Sequence, residues 1–144
     1  MSRHLGEHWT VPALDPQNRA WFTRGEIVVQ ACRDCGRDQH PPEELCGACQ
    51  GADLEFRSRP GTGTVESFVV VHHAVHPGLA DRVPYTVALV SLDGTEGASA
   101  IGNVVNRRFD AVEIGQRVRA VFETVTEPGS GEQMQIPQWE VVQR

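Results

Sequence analysis

Cys32-Arg33-Asp34-Cys35-Gly36 and Cys46-Gly47-Ala48-Cys49, with ten residues between Cys35 and Cys46, hold all 4 cysteines of the 144-residue chain. A C-x-x-C pair folds into a tight knuckle with both sulfurs on one side. Two knuckles supply four sulfurs in a tetrahedron, the donor set of a structural zinc site. Gly36 and Gly47 stand where such knuckles need residues tolerant of positive φ. Two disulfides would use the same residues, but no apolar run follows Met1-Ser2-Arg3-His4-Leu5, as a secretory signal would require. A redox C-x-x-C is a poorer match to two pairs at ribbon spacing. Rubredoxin-like iron takes the same four ligands, so spacing leaves zinc and iron open. A closed four-sulfur shell has no position for substrate, which gives this metal a folding role.

Upstream, Leu14 to Gly25 reads as a short helix with Asp15 as N-cap, Pro16 at the first position and Gly25 closing it. Its apolar stripe is narrow, so the helix should dock elsewhere. Glu26 to Ala31 reads as a strand leading into the first knuckle, and Leu54-Glu55-Phe56 as its return. From Arg59-Pro60-Gly61-Thr62-Gly63 onward, β-rich stretches alternate with turns. Strands are expected over Thr64–His73, Pro84–Leu92, Ala98–Val105, Gln116–Thr126 and Gln133–Val142, with a helical turn within Arg107–Ile114. In the fourth, Val118, Ala120, Phe122 and Thr124 alternate against Arg117, Arg119, Val121 and Glu123. Five strands with a helical element before the fourth predict an OB-fold barrel. The fold class is therefore mainly β: an N-terminal docking-helix segment (1–28), a zinc ribbon (29–58) and a five-stranded OB-fold (59–144).

The net charge of −6 argues against phosphate-backbone binding, and all 13 cationic residues are Arg. No apolar stretch approaches the roughly 20 residues needed to cross a bilayer. The cytoplasm is the expected location.

The order of these motifs is itself informative. Gly25-Glu26-Ile27-Val28-Val29-Gln30, C-x-x-C-G, Pro41-Pro42, C-x-x-C, Pro60-Gly61-Thr62-Gly63-Thr64-Val65, Pro84-Tyr85, Ile114-Gly115-Gln116-Arg117-Val118 and Ile136-Pro137-Gln138-Trp139 follow one another. The chain resembles the OB-fold proteins with a rubredoxin-like zinc ribbon long filed as domain of unknown function family thirty-five. That resemblance implies a non-catalytic accessory subunit of a thiolase-like enzyme: a thiolase, an acyltransferase or a retro-aldolase acting on acyl-CoA esters. Steroid or lipid side-chain degradation is the implied setting, with acyl-CoA at the partner interface and a two-plus-two heterotetramer.

Candidate residues follow from both readings. Cys32, Cys35, Cys46 and Cys49 are the metal ligands. Arg107, Arg108 and Arg117 lie in the one cationic concentration of the barrel half and are candidates for CoA phosphates. His72, His73 and His76 fall at a strand end entering a loop, where partner or substrate contact is expected; neighbours on a strand face opposite ways, against a shared metal. Trp9, Trp21 and Phe22 are expected at an interface, since the N-terminal segment is too short for a core of its own. Trp139 suits either an interface or the barrel end. The alternative function is nucleic-acid binding by the OB-fold, for which Phe68, Tyr85, Phe122 and Trp139 would be the stacking candidates.

Overall fold

The computed structural model describes residues 4–6 and 9–142. One helix, α1 (Arg19–Thr23), precedes eight strands: β1 (Val28–Cys32), β2 (Asp38–Gln39), β3 (Leu54–Ser58), β4 (Thr62–Val71), β5 (Tyr85–Leu92), β6 (Ser99–Asn103), β7 (Arg117–Thr126) and β8 (Gln133–Val141). The first three form an antiparallel sheet in the order β2-β1-β3, and the last five a sheet in the order β6-β5-β4-β7-β8. A parallel bridge between Val104 and Trp139 joins the end of β6 to β8 and closes the barrel. A short 3-10 turn at Phe109–Ala111 precedes β7. The fold is the expected ribbon and OB barrel.

The N-terminal segment departs from the sequence reading. Asp15 does accept the Asn18 N–H at 2.8 Å, as a cap should, but Asn18 Oδ1 accepts the Asp15 N–H in return at 2.9 Å. This reciprocal pair holds residues 16–18 as a turn, and regular helix begins only at Arg19. Gly25, at φ +66°, ends it.

The ribbon and barrel share one core. Trp21, Ile27 and Val29 pack with Val65, Val90, Ala100, Val118 and Trp139. All five residues of β1 are buried, because the strand lies between two partners and against the barrel. Trp21, expected at an interface, is 6% exposed and is a core residue. Trp9 is not a free anchor either: its ring lies 5.1 Å from that of Tyr85. With Val11, Leu14 and Phe22 it packs on a second cluster of Leu5, Val125, Met134 and Ile136.

That second cluster explains a further correction. Val118 enters the barrel core and Ala120 and Phe122 pack against it, but Thr124 is exposed while Glu123 and Val125 are buried. Toward the far end of the β7–β8 hairpin, the opposite face is therefore the buried one, under the N-terminal segment. Glu123, 3% exposed, accepts the Leu5 N–H at 2.6 Å and the Gln138 Nε2–H at 3.1 Å. A buried carboxylate needs such donors.

Barrel closure places Trp139 against a bare backbone. A Cβ at Gly102 would lie 2.7 Å from both Cδ1 and Nε1 of Trp139. The Gly102→Ala substitution is expected to lower stability by about 1–3 kcal/mol, read by urea unfolding of the metal-loaded protein, because the indole cannot move without disturbing closure. A wild-type midpoint would disprove this packing constraint.

Candidate metal centre and flanking surfaces

The first knuckle turns where the Gly36 N–H meets the Cys32 carbonyl at 2.8 Å, and the second where the Gln50 N–H meets the Cys46 carbonyl at 2.9 Å. The glycine roles differ from expectation. Gly36 has positive φ (+78°), but in the second knuckle the left-handed residue is Gln50 (φ +60°), not Gly47. Gly51 keeps a side chain off a ligand sulfur: a Cβ there would lie 3.2 Å from Cys49 Sγ, whereas the exposed Asp34 carboxylate, 2.7 Å away, can swing aside.

The four sulfurs lie within 4.8 Å of one another and none is in a disulfide. Cys32 Sγ is 3.6 Å from Cys49 Sγ, and Cys35 Sγ is 3.6 Å from Cys46 Sγ. A zinc–sulfur bond of about 2.3 Å gives a tetrahedral edge of about 3.8 Å, so the set fits the ion. Backbone N–H groups of Cys49 and Ala48 draw the Cys46 thiol down to about 6, while at Cys49 the Gly51 N–H is outweighed by close neighbouring sulfurs and burial, which push that thiol up to about 12. A bound cation is what lets all four ionise together. Gln30, beneath the knuckles, ties the ribbon loop: its Oε1 accepts the Glu43 N–H at 2.9 Å and its Nε2 donates to the Glu43 carbonyl at 2.9 Å. Asp38 and Arg59 form a two-point ion pair at 2.8 and 3.0 Å that fixes β2 to the start of the barrel.

The remaining candidates do not assemble into one site. His72 meets the Phe109 ring edge-on at 5.6 Å. His73 is exposed, and His76 Nδ1 accepts the Gly78 N–H at 3.0 Å, starting a 3-10 turn. Among the described residues, the four cysteines are the group that could hold a metal. Arg117 is committed to Asp93, at 2.5 and 3.1 Å, and this pairing takes the Asp93 carboxyl down to about 2. It is a structural tie across the barrel, which removes it as a phosphate candidate. Arg107 donates to the Asn106 carbonyl, while Arg108 pairs with Asp110 at 3.1 Å and lies 5.4 Å over the Phe109 ring. These two line a groove with Arg82, Thr86 and Phe109. Arg82 ends the loop after the histidines where partner or substrate contact is expected, and Thr86 lies on β5.

Two surfaces of opposite character flank the barrel. On the outer face of β4, β5 and β6, Val69 (61% exposed) pairs with Val87, and Leu89 pairs with Ile101 (67% exposed). An apolar groove of about 510 Å³ continues from Leu89 and Ile101 to Phe22, Trp21, Pro41 and Pro42. His40 lines it with its ring 4.1 Å from Trp21, and burial takes its pKa down to about 4.

Metal analysis of the purified chain should give about one zinc per chain, and Cys46→Ser should lose it on dialysis against a chelator. Zinc retention by that variant would refute the four-sulfur site. His40 has a second consequence. Its pKa in the folded state lies below the ordinary value of 6.5, so the unfolded chain binds the extra proton first. The His40 contribution is complete above pH 6.5 and is lost as pH falls toward 4. His40→Phe should flatten that part of the stability–pH profile; an unchanged slope would assign it to other groups.

The comparisons with known proteins agree with this architecture. The family model described as the ChsH2 rubredoxin-like zinc ribbon domain matches residues 22–55, and that of the ChsH2 C-terminal OB-fold domain matches residues 57–123. A DUF35 domain-containing scaffold protein of Methanocaldococcus jannaschii is 33% identical over 104 residues, covering 72% of each chain. A probable enoyl-CoA hydratase alpha subunit of Thermomonospora curvata is 39% identical over 110 residues, or 74% of this chain. This chain spans only 33% of the length of that relative. A solved structure titled Ltp2-ChsH2(DUF35) aldolase superposes with a TM-score of 0.70 at 34% identity, covering 91% of this chain and 98% of that one. The chain belongs to the DUF35 family, in which a rubredoxin-like zinc ribbon is joined to an OB-fold.

Proposed function

We propose that this chain is a non-catalytic accessory subunit that docks on a thiolase-like enzyme acting on acyl-CoA esters. The observation that carries the reading is the outer face of β5 and β6. OB-folds commonly bind ligands on their second and third strands, which here are β5 and β6. Nucleic-acid binders arm that face with cations and stacking rings. Here it presents Val87, Leu89 and Ile101 with Val69 of β4 alongside, a surface that suits the apolar face of a folded protein. Phe122 and Trp139 of the rival reading are turned into or against the core. The relatives named as a hydratase alpha subunit, a scaffold protein and part of an aldolase support a partner enzyme.

The ribbon would act as a rigid bracket beside that face, and the barrel would order partner loops around the acyl-CoA channel. The finer parts of the reading are a thiolase fold in the partner, a two-plus-two assembly, a cytoplasmic setting in steroid or lipid side-chain degradation, and acyl-CoA near Arg107 and Arg108. No helix among the described residues is long and apolar enough to cross a membrane.

Affinity purification of the tagged chain from its native host, with mass spectrometry, should recover a thiolase-like enzyme in stoichiometric amount. Ile101→Asp combined with Val69→Asp should weaken that complex at least about tenfold while zinc content and melting temperature stay unchanged. Undiminished binding by the double variant would remove the face from the interface. Salt-dependent binding to single-stranded oligonucleotides would favour the rival instead.

A further inference from the structure

The two knuckles present their sulfurs unequally. Cys35 and Cys49 are exposed, while Cys32 and Cys46 are buried. Each exposed sulfur has a buried one 3.6 Å away in the other knuckle: Cys49 with Cys32, and Cys35 with Cys46. Gly51, beside Cys49, adds no side chain over that sulfur. The same knuckles steady one wall of the apolar groove. Gln39 Oε1 accepts the Gly47 N–H at 2.9 Å inside the second knuckle, and Gln39 Nε2 donates to Gln30 Oε1 at 2.6 Å and to the Leu45 carbonyl at 3.2 Å. The residues that follow, His40, Pro41 and Pro42, form that wall.

The thiolate is both the metal ligand and the nucleophile, so a four-sulfur site keeps its sulfurs in the reactive form. Access then decides which of them an oxidant meets, and it selects Cys35 and Cys49. A sulfenic acid formed there condenses with a thiolate at hand. A disulfide inside one C-x-x-C would leave the two knuckles unjoined. The spacing of exposed and buried sulfurs favours the other outcome, a bond from one knuckle to the next.

We infer that the four-cysteine centre is a hydroperoxide-sensitive switch, in which two cross-knuckle disulfides replace the metal and loosen the adjoining groove wall. The exposed Cys49 thiolate attacks one peroxide oxygen; the O–O bond breaks, and the other oxygen leaves as hydroxide and is protonated to water. The Cys32 thiolate then attacks the Cys49 sulfenic acid. The S–S bond forms, the S–O bond breaks, and a second hydroxide leaves and is protonated. Each sulfur gives up one electron, and hydrogen peroxide takes both. Cys35 and Cys46 repeat the step with a second peroxide. Drawing each pair from 3.6 Å to a bond of about 2 Å shifts the knuckles against Gln39, and the His40–Pro41–Pro42 wall loses its clamp. A thiol reductant with zinc reverses the exchange. Control of a docked enzyme by this wall rests on the partner reading above; the switch itself does not.

Stepwise addition of hydrogen peroxide to the zinc-loaded full chain, with a chromogenic chelator present and free cysteine oxidised in parallel, tests this without any partner. Loss of the partner reading leaves its outcome intact. Zinc is expected to leave at peroxide doses comparable with those that oxidise free cysteine, and all four thiols to be consumed by about two peroxides per chain. Peptide mapping should find Cys32–Cys49 and Cys35–Cys46, and hydrogen exchange should quicken at the amides of Glu43 and Gly47, which Gln30 and Gln39 hold. Dithiothreitol with zinc should restore both zinc content and the original exchange. Gln39→Ala, which leaves the sulfurs untouched, should release zinc as wild type does, yet show the faster Gly47 exchange before any oxidant is added. Zinc retained after free cysteine is consumed, disulfides confined within the knuckles, or oxidation running on to sulfinic and sulfonic acids overturns the proposal. So does unchanged exchange at Glu43 and Gly47 in the oxidised chain.

Discussion

Four thiolates drawn within 4.8 Å of one another repel unless a cation lies between them. The ribbon depends on that condition, because β2 is two residues long and contributes little pairing of its own. Metal binding fixes both knuckles, and the knuckles fix β1. Ile27, just before it, and Val29 within it then reach the barrel core. The ion thus supports packing at a distance from any of its ligands. In a chain of this size, where one core leaves a small margin, coupling a metal to that core is an effective way to hold a non-repeating N-terminal half in place.

The same arrangement suits a scaffold. A subunit that acts by positioning another protein needs a surface that does not yield when loaded. The Asp38–Arg59 pair ties ribbon to barrel, and Arg117–Asp93 ties β7 to the turn after β5. Both ties sit where residues 59–64 lead from ribbon into barrel, and the aliphatic face of β4, β5 and β6 is continuous with the groove at Trp21 and Phe22. Ion pairs thus secure the joint of ribbon and barrel, and the charged groove shares no lining residue with the apolar one.

The parts of the structure governed by local chemistry were legible in the sequence. The cysteines declared the ribbon through spacing, and the barrel strands declared themselves through alternation and turn residues. The resemblance to the family added order and role. What escaped depended on distant partners. Trp9 and Leu14 look unsupported until the β7–β8 hairpin is seen beneath them; Leu5 and Glu123 are 118 positions apart. Arg117 looked like an anion ligand because Asp93, which claims it, lies 24 positions away in a turn. The burial of Glu123 inverted the expected alternation of β7 for the same reason. Gly47 was given the role of Gln50 because backbone torsion in a knuckle depends on where the chain leaves it, and residue preference alone does not reveal that.

The 3 tryptophans also occupy three distinct settings. Trp139 is fully enclosed in the barrel, Trp21 lies at the ribbon–barrel junction against His40, and Trp9 is half-buried beside Tyr85, the single tyrosine. Each indole reports on a different part of the molecule. Single-tryptophan variants would let emission follow barrel, junction and N-terminal segment separately. The chain carries its own optical probes for asking whether these three regions come apart together or in turn.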